Sequence, residues 1–87
     1  MIEWTQTAVD DLVGIKQAGK EASQSIVKRL FTTADRLEVF PHSGRLGFLP
    51  DTREFVIADL PYFLVYRVAD NVEILRVMHT SRLWVGD

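Results

Sequence analysis

The apolar positions pass from strand-like alternation to helical spacing and back to alternation, and those changes of period predict the elements of the chain. Ile2 and Trp4 flank Glu3 in alternation, which suits a short strand added to an existing sheet. Ala8, Leu12 and Ile15 then recur at helical spacing with Val9 and Val13 beside them. Thr7 followed by Asp10 resembles a capping box with Asp in place of Glu. Gly19 interrupts this first helix. A longer stripe, Ala22, Ile26, Leu30 and Leu37 with Val27, Phe31 and Ala34, predicts a second amphipathic helix that stops before Pro41. Its opposite face, with Lys28, Arg29, Asp35, Arg36 and Glu38, reads as solvated surface.

From His42 to Thr52 the chain is rich in Pro, Gly and Ser around HSGRLG, which predicts a loop with at most a short extended piece and the most mobile segment of the molecule. Phe55 and Ile57 alternate after Arg53, Leu60-Pro61 breaks that strand, and Tyr62 to Val68 are aromatic or β-branched almost throughout. Asp70 and Asn71 stand between two such runs as a two-residue hairpin turn, and Val72 to His79 forms the last strand.

With Asp70 and Asn71 as the turn, Ala69 lies opposite Val72 and the other pairs follow by counting. One face then holds Leu64 with Val77, Tyr66 with Leu75 and Val68 with Glu73, apolar enough to lie under the helices. The other holds Phe63 with Met78, Val65 with Arg76 and Arg67 with Ile74, which sets two guanidinium groups diagonally beside an aromatic ring and a methionine on an outward face. A three-residue turn slips this register by one. Two cations on adjacent strands repel, so Arg67 and Arg76 call for carboxylates within the fold, with Glu54 or Asp59 as candidates, or for an external anion or acidic peptide. His79, near Tyr62 at the open end of the hairpin, has a side chain suited to proton transfer, although a lone histidine at a strand end is more often structural. Trp84 offers aromatic surface to the core edge or to a partner.

At 87 residues the chain suffices for one hydrophobic core and is too short for two, so 1–87 is expected to be a single domain. Hydrophobic residues at 47% and charged residues at 25% are those of a folding chain rather than a disordered one. No apolar run approaches the ~20 residues that cross a bilayer, and MIEWTQTA lacks the basic start and apolar core of a signal peptide, which points to the cytoplasm and away from membranes. Without cysteine there is no disulfide or thiolate nucleophile, and two histidines are a poor metal-binding set, so no metal or cofactor is expected. The net charge of -2 and pI near 5.6 disfavour nonspecific nucleic-acid binding. Residues 53–87 nevertheless hold Arg53, Arg67, Arg76 and Arg82 and no lysine, which leaves room for a local basic patch.

Several short motifs together resemble the RelE/ParE superfamily of bacterial type II toxin-antitoxin toxins. They are A-x-x-D-L-x-x-I (Ala8, Asp11, Leu12, Ile15), P-x-x-G-R (Pro41, Gly44, Arg45), R-E (Arg53, Glu54), L-V-Y-R-V (Leu64 to Val68) and I-L-R-V-M-H (Ile74 to His79), followed by Arg82 and Trp84. The likeness spans nearly the whole chain. It implies an α+β fold, two N-terminal helices packed on an antiparallel sheet in the order β-α-α-β-β-β, and a toxic activity neutralised by a cognate antitoxin that wraps the toxin.

Two mechanisms occur in such proteins. RelE-like members cleave mRNA on the ribosome with basic and acid-base groups on the concave face of the sheet, whereas ParE-like members inhibit DNA gyrase and are not nucleases. Metal-independent cleavage needs a base, an acid and cations around the scissile phosphate, and Arg53, Arg67, Arg76, His79 and Arg82 are the residues available for it. The family pattern is depleted here: Phe63 stands where an arginine commonly precedes L-V-Y, GRLGFLPDT has Arg45 as its one cation, and Thr80, Ser81 and Arg82 replace a terminal His-Tyr or Arg-Tyr. The resemblance therefore implies a ParE-like toxin that arrests growth by binding a target such as DNA gyrase, with a RelE-like ribosome-dependent mRNA endonuclease as the alternative. The antitoxin is expected to meet Arg67, Arg76 or Arg82 with acidic residues and to find apolar anchors at Phe63, Met78 and Trp84. Exposed apolar residues on that face imply a homodimer or a toxin-antitoxin heteromer.

Overall fold

A computed structural model describes residues 1–18 and 21–81. The elements are β1 (Ile2–Trp4), α1 (Gln6–Ala18), α2 (Glu21–Val39), β2 (Arg45–Leu46), β3 (Arg53–Val56), β4 (Tyr62–Val68) and β5 (Val72–His79). The strands form one sheet in the order β1-β5-β4-β3-β2. Strands β2 to β5 are antiparallel neighbours as expected, whereas β1 lies parallel to β5, with Ile2 opposite Val72 and Trp4 opposite Ile74. A parallel pair needs a long crossover, and both helices lie within this one.

Thr5 makes the turn from sheet to helix. Its amide donates to the Ile74 carbonyl (3.0 Å), its hydroxyl donates to the Leu75 carbonyl (3.0 Å), and the same oxygen accepts the Ala8 amide (3.2 Å). Thr5 is therefore the N-cap, in place of the expected Thr7–Asp10 box, because only Thr5 is fixed by β5 at the point where the first turn leaves amides unpaired. Asp10 instead accepts a hydrogen bond from the Gln6 amide group (2.9 Å).

Ala8 and Leu12 of α1 and Leu30, Ala34 and Leu37 of α2 are buried against Ile57, Leu64, Tyr66, Val72, Ile74 and Val77. This is the principal core, and truncating a wholly buried aliphatic residue such as Leu30 or Ile74 to alanine costs about 2–5 kcal/mol. Trp4 and Phe31, with ring centroids 5.0 Å apart, tie β1 to α2.

The hairpin follows the expected register only in its lower half. Tyr62 faces His79, Phe63 faces Met78, Leu64 faces Val77 and Val65 faces Arg76; the register then shifts by one, so that Tyr66 faces Ile74, Arg67 faces Glu73 and Val68 faces Val72. The cause is a three-residue turn, Ala69 to Asn71, closed by an Ala69 amide bond to the Asn71 carbonyl (3.0 Å). Leu75 is the extra residue that absorbs the difference. The expected pairs Tyr66–Leu75, Val68–Glu73 and Arg67–Ile74 are thereby corrected. Tyr66 meets the wholly buried Ile74, and Leu75 packs with Phe63, Val65 and Met78 in a second cluster. Phe63 and Met78, expected as exposed apolar residues, are 6% and 3% exposed.

The loop between α2 and β3 is tied down at several points. Gly47 donates its amide to the Thr52 carbonyl (2.8 Å), the Thr52 hydroxyl donates to the Leu49 carbonyl (2.6 Å), and the Phe48 amide donates to Glu54 Oε2 (3.1 Å). Glu54 is buried, and its Oε1 accepts from Arg45 Nε (3.1 Å) and Nη2 (3.0 Å), so the carboxylate is balanced in charge and hydrogen bonding.

Candidate partner-binding and catalytic surfaces

Arg76 owes its place to the edge of β5. Strand β1 pairs with β5 as far as Ile74, and Thr5 extends the contact to Leu75; past that point α1 takes over the edge with Asp11. Asp11 Oδ2 accepts both Arg76 Nε (2.9 Å) and the Val77 amide (2.9 Å), and Oδ1 accepts Arg76 Nη2 (3.2 Å). One carboxylate thus substitutes for a missing strand and neutralises a guanidinium, with both side chains largely shielded.

Asp10, Asp11, Tyr62, Arg76, His79 and Ser81 line a cleft of about 540 Å³ between α1 and the end of β5. The His79 ring stands edge-on to Tyr62, with centroids 5.2 Å apart. Its Nδ1 accepts the Ser81 amide (3.1 Å) and lies 2.7 Å from the Ser81 hydroxyl oxygen. A neutral ring that accepts at Nδ1 carries its hydrogen on Nε2, so the nitrogen with a lone pair is occupied by Ser81.

Arg53 and Arg67 lie at the other end of the hairpin, lining a cleft of about 690 Å³ with His42, Val68 and the Leu46–Thr52 loop. Arg53 Nη1 donates to the carbonyls of Gly44 (2.7 Å) and His42 (3.3 Å). Arg67 forms an ion pair with Glu73, its cross-strand neighbour. Glu73 meets Arg67 and Asp11 meets Arg76, while Glu54 holds Arg45.

The structure brings Arg76, His79 and Met78 to one cleft and Arg53 and Arg67 to another; Phe63 lies in the buried cluster between the strands. Arg67 and Tyr62, the partner of His79, are five residues apart on β4, a separation of roughly 17 Å at about 3.4 Å per residue. Arg82 and Trp84 lie outside the described residues. Sequence reasoning missed Asp11 as a site residue, although its position beside Leu12, at the border of the apolar stripe, was the available signal. Among the described residues no cluster of three His, Asp or Glu is placed to hold a metal ion, and no helix is long and apolar enough to cross a membrane.

Two helices laid on this sheet, with β1 inserted parallel beside β5, make a fold shared with solved toxin-antitoxin structures. The fold is similar to the chromosomal ParDE toxin-antitoxin system from P. aeruginosa, with a TM-score of 0.79 and 23% identity over 90% of this chain and 92% of that one. It is also similar to the intact E. coli RelBE toxin-antitoxin complex, with a TM-score of 0.70 and 17% identity over 94% of this chain and 98% of that one. In sequence the chain is 41% identical to a putative toxin, Y4kP, of Sinorhizobium fredii, covering 95% of this chain and 91% of the relative. It is 39% identical to toxin RelE2 of Caulobacter vibrioides, covering 94% and 97%. Residues 2–84 match the family model described as the ParE toxin of the type II toxin-antitoxin system parDE, and the chain belongs to that family.

Proposed function

We propose that the chain is a ParE-like toxin that arrests growth in the cytoplasm by binding a macromolecular target such as DNA gyrase, and that a cognate antitoxin neutralises it. The observation that carries this reading is the division of the candidate catalytic residues between two ends of the hairpin. A phosphoryl-transfer site needs its base, acid and cations within hydrogen-bond reach of one phosphate, and Arg67 and His79 stand roughly 17 Å of strand apart. Arg67 and Arg76 are further engaged by Glu73 and Asp11, and Phe63 is a buried ring. The family match and the ParDE and RelBE assemblies support the antitoxin as partner. Its acidic residues meet Arg67, whose side chain is 50% exposed, and Arg76 in the α1–β5 cleft.

One observation favours the nuclease reading: His79, Tyr62 and Arg76 share a cleft, a small acid-base set on its own. Expression in a bacterial host separates the two. An SOS response with stalled replication supports gyrase as the target, whereas immediate translation arrest with mRNA cut on ribosomes overturns it.

A further inference from the structure

Leu46 and Phe48, at 79% and 72% exposed, hold apolar side chains out into solvent just ahead of β3, with the part-exposed Leu49 next to them. Single apolar side chains on a surface need no explanation, but these stand together on a segment that is fixed from beneath. The buried Glu54 carboxylate accepts the Phe48 amide (3.1 Å), and the Thr52 carbonyl accepts the Gly47 amide (2.8 Å). A Cβ at position 47 would collide with the Thr52 hydroxyl, so the segment closes this tightly only on glycine. Leu49 to Thr52 form a turn in which the Thr52 amide donates to the Leu49 carbonyl (3.3 Å), with Pro50 second and Asp51 third at a φ of 62°, the places a type II turn gives to proline and to a positive φ. A buried carboxylate, a glycine and a left-handed residue thus combine to present apolar side chains to solvent rather than to bury them. The same segment borders the cleft of about 690 Å³ that holds Arg53 and Arg67, where Asp51 is the one carboxylate among the described lining residues. Arg53 donates to the Gly44 and His42 carbonyls, both neutral acceptors.

We propose that the 46–51 segment is where the toxin grips its target, a folded protein whose apolar hollow receives Phe48 and Leu46 and whose rim carries a carboxylate that meets Arg53. The proposal rests on the reading of the chain as a toxin that acts by binding a protein, and it names the residues that do so. An aromatic anchor held in place before contact loses little freedom on binding, which is how a small surface gains affinity. The mixture of side chains selects the occupant. A nucleic acid would meet Arg53 but would also meet the Asp51 carboxylate, and Leu46 and Leu49 offer it neither charge nor a stacking face. A second copy seated about a two-fold axis would bring Arg53 and Arg67 up against the same two cations. An acidic rim around an apolar hollow satisfies both the leucine-phenylalanine pair and the arginine.

The test expresses the Leu46→Ser/Phe48→Ser double variant in a bacterial host and assays the purified protein against DNA gyrase, with Val13→Ser, an exposed apolar position on α1, as control. The double variant is expected to lose growth arrest and to inhibit supercoiling at least tenfold more weakly, with melting temperature and antitoxin affinity unchanged, while Val13→Ser behaves as the parent. Asp51→Asn keeps a residue suited to the positive φ and removes the carboxylate, so it is expected to arrest growth at an expression level at least threefold lower. Growth arrest reads the segment whatever the target is: a parent that arrests growth without inhibiting gyrase overturns the gyrase reading alone, and arrest lost in the double variant then still supports the segment. Undiminished arrest by the double variant, an equal loss in Val13→Ser, or weaker arrest by Asp51→Asn would each overturn the proposal. Antitoxin affinity lost while arrest persists would overturn it in favour of the antitoxin. Messenger RNA cleavage by the parent that disappears in the double variant would do so in favour of RNA, and a parent dimer that dissociates in the double variant in favour of a second copy.

Discussion

The phenol oxygen of Tyr66 lies 2.9 Å from the amide nitrogen of Gly44 and accepts its hydrogen, while its own hydroxyl hydrogen goes to the Pro41 carbonyl at 2.8 Å. Tyr66 is wholly buried, so this single atom fixes the exit of α2 to the centre of the sheet. The approach leaves no room for a side chain at position 44: a Cβ there would lie 2.6 Å from the Tyr66 oxygen and 2.8 Å from the Glu54 carbonyl oxygen. Arg53 then binds the Gly44 carbonyl and Arg45 the Glu54 carboxylate. The P-x-x-G-R, R-E and L-V-Y motifs are thus parts of one hydrogen-bonded joint.

Tyr66→Phe keeps the ring and removes both bonds, leaving the Gly44 amide and the Pro41 carbonyl without this partner. It is expected to lower unfolding stability by roughly 1–3 kcal/mol. Gly44→Ala forces the joint apart and is expected to cost about as much. Denaturant titration of the two single variants and the double variant checks this. The double variant should lose clearly less than the sum, because each change breaks the same contact.

Asp11 serves the sheet edge and Arg76 together, so its removal should cost more than removal of the arginine. Asp11→Ala leaves the Val77 amide at the sheet edge without its acceptor and takes the carboxylate from Arg76 Nε and Nη2, with an expected loss of about 2–4 kcal/mol. Arg76→Met leaves the carboxylate bonded to the Val77 amide and is expected to cost about half as much. Equal losses for the two variants, measured by denaturant unfolding, would sink the edge-cap role.

The parts of the fold that repeat with a period were legible in the sequence, and those set by a single contact were not. Alternation and helical spacing located β1, both helices and strands β3 to β5, because each stripe is long enough to show which face is buried. The bulge at Leu75 was not legible: a two-residue and a three-residue turn use the same Ala-Asp-Asn sequence, and the choice between them depends on what Tyr66 and Ile74 bury. The arginines were seen as a group because they are close in sequence, but strand geometry sends Arg67 and Arg76 to different carboxylates, one of them from a helix 65 residues away in sequence. Phe63 and Met78 looked outward by alternation and are buried all the same, since the face opposite the helices carries its own apolar cluster.

The Arg67–Glu73 pair is exposed and should add little to stability. Glu73→Gln is expected to change it by less than about 1 kcal/mol, with the difference shrinking as salt is raised. Arg67→Gln, which sets no second carboxylate opposite Glu73, should then act on partner binding rather than folding. Calorimetry with the antitoxin is expected to show a loss of at least tenfold in affinity at an unchanged melting temperature. Unchanged affinity would remove Arg67 from the antitoxin surface.

His79 separates a binding protein from a nuclease most directly. Its Nδ1 is held by Ser81 and its ring lies against Tyr62, so His79→Gln keeps a polar side chain at the strand end and removes the imidazole. If the toxin acts by binding gyrase, growth arrest should persist in this variant, with supercoiling inhibition by the purified protein within about threefold of the parent. If it cuts mRNA with His79 as base or acid, loss of that group should slow cleavage by about 10²–10⁴-fold and abolish toxicity. Combining His79→Gln with Arg76→Met makes the distinction firmer: the pair removes the imidazole and the guanidinium of the α1–β5 cleft while Asp10, Asp11 and Tyr62 stay, and an undiminished arrest then rules out a nuclease that works through either lost group.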